Sequence, residues 1–99
     1  MLNAKQRALI KKNFGNGPAI CFVGKEGLSD SCVESIMQAL TAREVVKISV
    51  LQNCDYTARE IADQIEQKLK ADIVSVVGGK ILIYKYSAFA KKHVEISLK

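Results

Sequence analysis

The stretch Ile73-Val74-Ser75-Val76-Val77-Gly78-Gly79-Lys80-Ile81-Leu82-Ile83-Tyr84-Lys85-Tyr86 decides the fold. It holds two runs rich in β-branched and aromatic residues, the composition of strands. Ile73 to Val77 and Lys80 to Tyr86 predict two strands. Gly78-Gly79 between them fits a two-residue hairpin turn, since glycine adopts φ > 0 at little cost. Each earlier strand candidate is separated from the next by a helix candidate. The sheet is therefore expected to be mixed, with an antiparallel hairpin added to a parallel α/β start.

Working outward from the hairpin, Thr57 and Glu60 have capping-box spacing, and Ile61, Ile65 and Leu69 line the helix that follows. The other faces of this helix mix Arg59, Asp63, Glu66, Lys68 and Lys70. From Val45 to Leu51 apolar and polar residues alternate, with Val46, Ile48 and Val50 on one face and Lys47 and Ser49 on the other, a strand with one face less buried. Ser29 or Ser31 starts the preceding helix, whose Val33, Ile36, Met37 and Leu40 follow an amphipathic stripe; Ser31 has Glu34 three residues on. Ala19 to Val23, bounded by Pro18 and Gly24, suits a short buried strand. At the start, Asn3 can cap a helix running to Phe14, with Gln6 three residues later and Leu2, Ala4, Leu9, Ile10 and Phe14 as its apolar side; Gly15-Asn16-Gly17-Pro18 breaks it. After the hairpin, Val94, Ile96 and Leu98 alternate and suit a short extra strand.

The expected architecture is α/β in the order α-β-α-β-α-β-β: a mixed four-stranded sheet packed with three helices, one domain over residues 1–99. The first two strands flank a helix and are expected to be parallel. With 48% hydrophobic and 25% charged residues, the composition is that of a folded globule. There is no apolar run of the roughly 18 residues a membrane helix needs, and Met1-Leu2-Asn3-Ala4-Lys5-Gln6-Arg7 lacks a signal-peptide apolar region, so a cytoplasmic location is expected.

Charge is divided along the chain. Residues 1–28 carry five basic side chains against one acidic, a net +4; residues 29–79 carry five against eight, a net −3; residues 80–99 carry five against one, again +4. If the two ends meet in space they form one positive face, the footprint of a polyanion binder. Between the first strand and the second helix lies Val23-Gly24-Lys25-Glu26-Gly27-Leu28-Ser29. In such a GxxG loop Gly24 and Gly27 let a phosphate approach the backbone, the helix N-terminus offers N–H groups, and Lys25 adds a charge at the tip. Glu26 opposes a phosphate unless it points away. An Asp at position 27 is expected to set a carboxylate where a phosphate oxygen would sit.

Chemistry of other kinds finds little support. Gly78-Gly79-Lys80 is followed by Ile81, so the hydroxyl that a P-loop needs for magnesium is missing, and no strand precedes Gly15-Asn16-Gly17 as a dinucleotide fingerprint requires. Cys21, Cys32 and Cys54 show no CxxC spacing and His93 is the single histidine, so neither a metal site nor a cofactor is expected, and the thiols suit packing as small hydrophobes. No nucleophile has an evident base. Tyr84 and Tyr86 share a face of the last strand with Leu82; core-edge packing suits them better than base stacking.

These residues resemble the chloroplast RNA splicing and ribosome maturation (CRM) family, especially its bacterial stand-alone YhbY-like members. The resemblance lies in Lys5-Gln6-Arg7, in Val23-Gly24-Lys25-Glu26-Gly27-Leu28-Ser29, in Gln38-Ala39-Leu40 with Arg43-Glu44-Val45-Val46-Lys47-Ile48, and in Val77-Gly78-Gly79-Lys80-Ile81-Leu82-Ile83-Tyr84. It implies a fold similar to the C-terminal domain of translation initiation factor three. It also implies RNA binding through the loop and an adjoining basic surface, and association with precursors of the large ribosomal subunit. Two positions depart from the family pattern: Lys85-Tyr86 stands where the family usually has Arg-Pro, and Glu26 where a neutral residue is common.

The expected protein is thus a non-catalytic, monomeric RNA binder, its partner ribosomal RNA of the large-subunit precursor, with no membrane and no small-molecule substrate. Gly24, Lys25, Glu26 and Gly27 form the loop; Lys11, Lys12, Lys80, Lys85, Lys91 and Lys92 form the basic surface. The rival is a protein-interaction adaptor whose acidic third helix meets a partner, its basic face incidental.

Overall fold

Side-chain caps set the helix starts. In the computed structural model, which describes residues 2–88 and 90, Asn3 Oδ1 accepts the Gln6 N–H at 2.8 Å while Gln6 Oε1 accepts the Asn3 N–H at 3.0 Å, opening α1 (Ala4–Phe14). Thr57 and Glu60 form the same reciprocal box before α3 (Ala58–Leu69). At α2 (Asp30–Arg43) the cap is Ser29, whose Oγ accepts the Cys32 N–H at 3.2 Å. Ser31 lies inside the helix, its hydroxyl 3.4 Å from that of Ser29.

Four strands interleave with these helices: β1 (Cys21–Val23), β2 (Val45–Val50), β3 (Asp72–Val77) and β4 (Lys80–Tyr84). They form one sheet in the order β1-β2-β4-β3, with β1 parallel to β2 and the other two pairings antiparallel. The mixed α/β sheet with three helices is as the sequence predicts. Only Gly78 of the turn has positive φ, +58°; Gly79 is needed for space, since a Cβ there would lie 3.0 Å from the Val50 carbonyl oxygen.

Residues alternate between the two faces of the sheet. One face meets α2 and α3 in a continuous core that includes Val23, Val46, Ile48, Ile81 and Ile83 from the strands and Ile36, Leu40, Ile61, Ile65 and Leu69 from the helices. The other face meets α1 in a smaller cluster of Leu2, Ile10, Val45, Val74, Leu82 and Tyr84. Both faces of β2 are thus occupied: Val45 and Ser49 are buried on the side expected to be more open.

Two segments differ from expectation. β1 begins at Cys21, and Phe22 is 58% exposed rather than buried, because β1 is an edge strand and α1 does not extend over it. β4 ends at Tyr84, and Tyr86 lies beyond it, because the chain turns toward α2. Glu44, between α2 and β2, holds the segment after Tyr84 in place. It caps α2 at φ +66° and is wholly buried, its carbonyl accepting the Lys85 N–H at 2.9 Å and its Oε2 the Ser87 N–H at 2.8 Å, while the Ser87 hydroxyl donates to the Thr41 carbonyl at 2.7 Å. The expected strand through Val94, Ile96 and Leu98 lies outside the described residues.

Candidate nucleic-acid interface

The GxxG loop is a tight turn: the Gly27 N–H donates to the Gly24 carbonyl at 3.0 Å, and the Ser29 N–H to the Gly27 carbonyl at 3.1 Å. Lys25 and Glu26 are thereby held at the exposed tip. The two glycines have different reasons. Gly27 is buried at φ +73°, and a Cβ on it would lie 2.9 Å from the Tyr56 ring. An Asp at position 27 would therefore point into the protein, not toward a phosphate, which corrects the expectation for that substitution. Gly24 has no such demand; a Cβ there would meet only Leu51, at 4.0 Å. Of the pair, the half-buried Gly24 is the one with open room beside its Cα, as close phosphate approach requires. The α2 N-terminus is less open to anions than its sequence suggests, because Ser29 takes one first-turn N–H and Asp30 sits in that turn.

The loop shares its end of the sheet with the β3–β4 turn. Val23 pairs with Val50, and the Val50 N–H donates to the Gly79 carbonyl at 2.7 Å. One register step back, Phe22, Ser49, Lys80 and Val77 form a row across all four strands on the α1 side. Lys80 Nζ donates to Ser49 Oγ at 2.7 Å. Beside this row is a cavity of about 270 Å³ lined by Lys11, Asn16, Lys47, Ser75 and Lys80, among others. The basic N-terminal helix and the basic C-terminal hairpin thus meet here, through Lys11 and Lys80.

Lys47, which strand alternation marks only as a polar position, holds this corner together. Its Nζ donates to the carbonyls of Gly15 at 2.7 Å and Gly17 at 3.0 Å, a cation on the C-terminal end of α1. Lys12 is exposed on α1 but does not line the cavity. Lys85 is at the other end of β4, five residues of extended chain or about 17 Å from Lys80, and its Nζ donates to the Lys70 carbonyl at 3.5 Å. Lys91 and Lys92 lie outside the described residues. The exposure of Phe22 and the structural role of Lys47 at this end of the sheet are what pattern alone misses; the Phe-Val-Gly step into the loop is the one signal for the first.

Tyr84 packs under α1, and burial, then the nearby Glu44, Asp72 and Tyr86, push its hydroxyl pKa upward. The half-buried Cys21 and Cys32 thiols are also pushed up: burial is the larger cause for Cys21, with Cys32 adding and Arg43 opposing, and burial acts alone on Cys32. Both are poorer nucleophiles at neutral pH for it. Among the described residues no group of three His, Cys, Asp or Glu side chains is placed to hold a metal ion.

An α/β domain with a GxxG turn leading into a helix, beside a lysine-lined sheet end, defines a class of small basic modules. The chain belongs to the CRS1/YhbY (CRM) domain family, whose model matches residues 2–85. It is 34% identical over 98 residues to the "Probable RNA-binding protein YqeI" of Bacillus subtilis (strain 168), covering 99% of each chain. It is also similar to a hypothetical protein of Staphylococcus aureus of known solution structure, with 31% identity, a TM-score of 0.80 and 100% of both chains covered.

Proposed function

We propose that this protein is a non-catalytic, monomeric, cytoplasmic RNA-binding protein that associates with precursors of the large ribosomal subunit. The observation that best supports RNA binding is that the Gly24–Gly27 turn and Lys80 lie at the same end of the sheet, with Lys11 lining the cavity beside Lys80. Membership of the CRM family and the name of the Bacillus relative support the same chemistry. The lysines contact phosphates, which positions an RNA without reading its sequence.

Binding should weaken linearly in log Kd against log salt, by a slope of about 0.7 for each phosphate neutralised on a single strand. Lys80→Gln should remove about one such increment, whereas Lys85→Gln, at the far end of β4, should leave the slope unchanged. A salt-independent affinity for ribosomal RNA would end the electrostatic account. The ribosomal assignment predicts sedimentation with immature large subunits and depletion from translating ribosomes. Recovery only at the top of a low-salt gradient, with precursors abundant, would defeat it.

A further inference from the structure

We infer that the part of the sheet left uncovered by α1 is a stacking platform for an unpaired base, with Phe22 as the ring beneath it. The inference rests on the RNA-binding proposal and specifies the RNA: single-stranded or looped, not regular duplex.

Phe22 and Val77 are each 58% exposed at the two edges of the transverse row, with Lys80 and the buried Ser49 that it bonds between them. The row spans three strand spacings, about 14 Å, enough for one or two nucleotides. Phe22 presents its ring to solvent, and the cation of its row is Lys80, two strand spacings or about 10 Å away. Lys80 stands in the row, and Lys47 and Lys11 line the adjoining cavity with Ser75 and Asn16. An exposed ring with an ammonium about one nucleotide's length along the row fits a nucleotide, a flat base joined to a phosphate. An apolar protein partner would leave those ammonium groups to be desolvated. A duplex hides its base faces, so Phe22 could not reach them. One residue, Val23, separates Phe22 from Gly24, so a strand whose phosphate meets the turn can lay its neighbouring base on the ring.

The chain has no tryptophan, so Phe22→Trp places a single indole reporter on the platform. The probes are a 12-nucleotide single-stranded RNA of mixed sequence and a blunt duplex of the same sequence, at low salt. Expected results are quenching of the indole emission of Phe22→Trp by the single strand, with affinity retained. Phe22→Ala should bind the single strand roughly 5- to 150-fold more weakly, the range for one lost stack, with duplex affinity and melting temperature unchanged. Unchanged indole emission at saturating single strand, or equal affinity of folded Phe22→Ala, would overturn the platform while leaving RNA binding in place. Binding of neither probe by the parent protein would overturn both. A dimer in sedimentation equilibrium that Phe22→Ala dissolves would make the patch an interface between copies and overturn the platform as well.

Discussion

The two faces of the sheet are built from the same four strands and covered differently. On one, α2 and α3 seal a row of isoleucines and valines from edge to edge; on the other, α1 seals the end holding Val45, Val74 and Tyr84 and stops short of Phe22, Lys80 and Val77. Stability therefore rests mainly on the first face, and among the described residues the far end of the second is the less covered. A sheet with both faces fully covered would have no such surface; one with a bare face would expose too much apolar area to stay soluble.

The sharpest way to break this division is Ile83→Ala. Ile83 is wholly buried on the sealed face, and its truncation should cost about 2–5 kcal/mol by urea denaturation, a large part of the roughly 5–15 kcal/mol of a domain this size. Next comes Gly27→Ala, which forces a side chain into the left-handed region and against Tyr56; about 1–3 kcal/mol is expected, with RNA affinity falling only as far as the fold does. If Gly27→Ala melted like the parent, the turn would not depend on that geometry.

Tyr84→Phe probes the edge of the covered half through pH. The folded-state pKa of Tyr84 is raised, so above about pH 10 the unfolded chain loses this proton before the folded one does, and stability falls as pH climbs through the folded pKa. The Phe variant should lack that part of the alkaline loss and match the parent at pH 7 to within a hydrogen bond's contribution. Equal alkaline slopes for both proteins would show that Tyr84 titrates normally. The smallest expected change is Gly24→Ala, within about 0.5 kcal/mol in stability because the site has room; a drop in RNA affinity without a drop in melting temperature would show that a phosphate approaches there.

The helices were legible because their signals are local: Asn3 with Gln6 and Thr57 with Glu60 sit three residues apart and bond as that spacing predicts. The hairpin was legible for the same reason. What periodicity could not show was which strand lies at an edge. Phe22 sits in an apolar run that reads as core, and its exposure follows from the order β1-β2-β4-β3 and from where α1 ends. Likewise Lys47 reads as a solvent position, and its contacts to Gly15 and Gly17 span about thirty residues of sequence. The separation of Lys80 from Lys85 follows once β4 is laid out; the charge count along the chain treats the two alike.

Among the described residues, both edges of the sheet are poor templates for a further strand. β1 offers only three residues after Pro18, and β3 carries an irregularity between Ile73 and Ser75, where the Ile73 carbonyl accepts from Arg7 Nε at 3.2 Å instead of standing open. Short or bulged edges of this kind hinder strand-to-strand aggregation. For a chain of net charge +5, whose copies would be drawn together on any polyanion, such edges lower the chance that neighbouring sheets join.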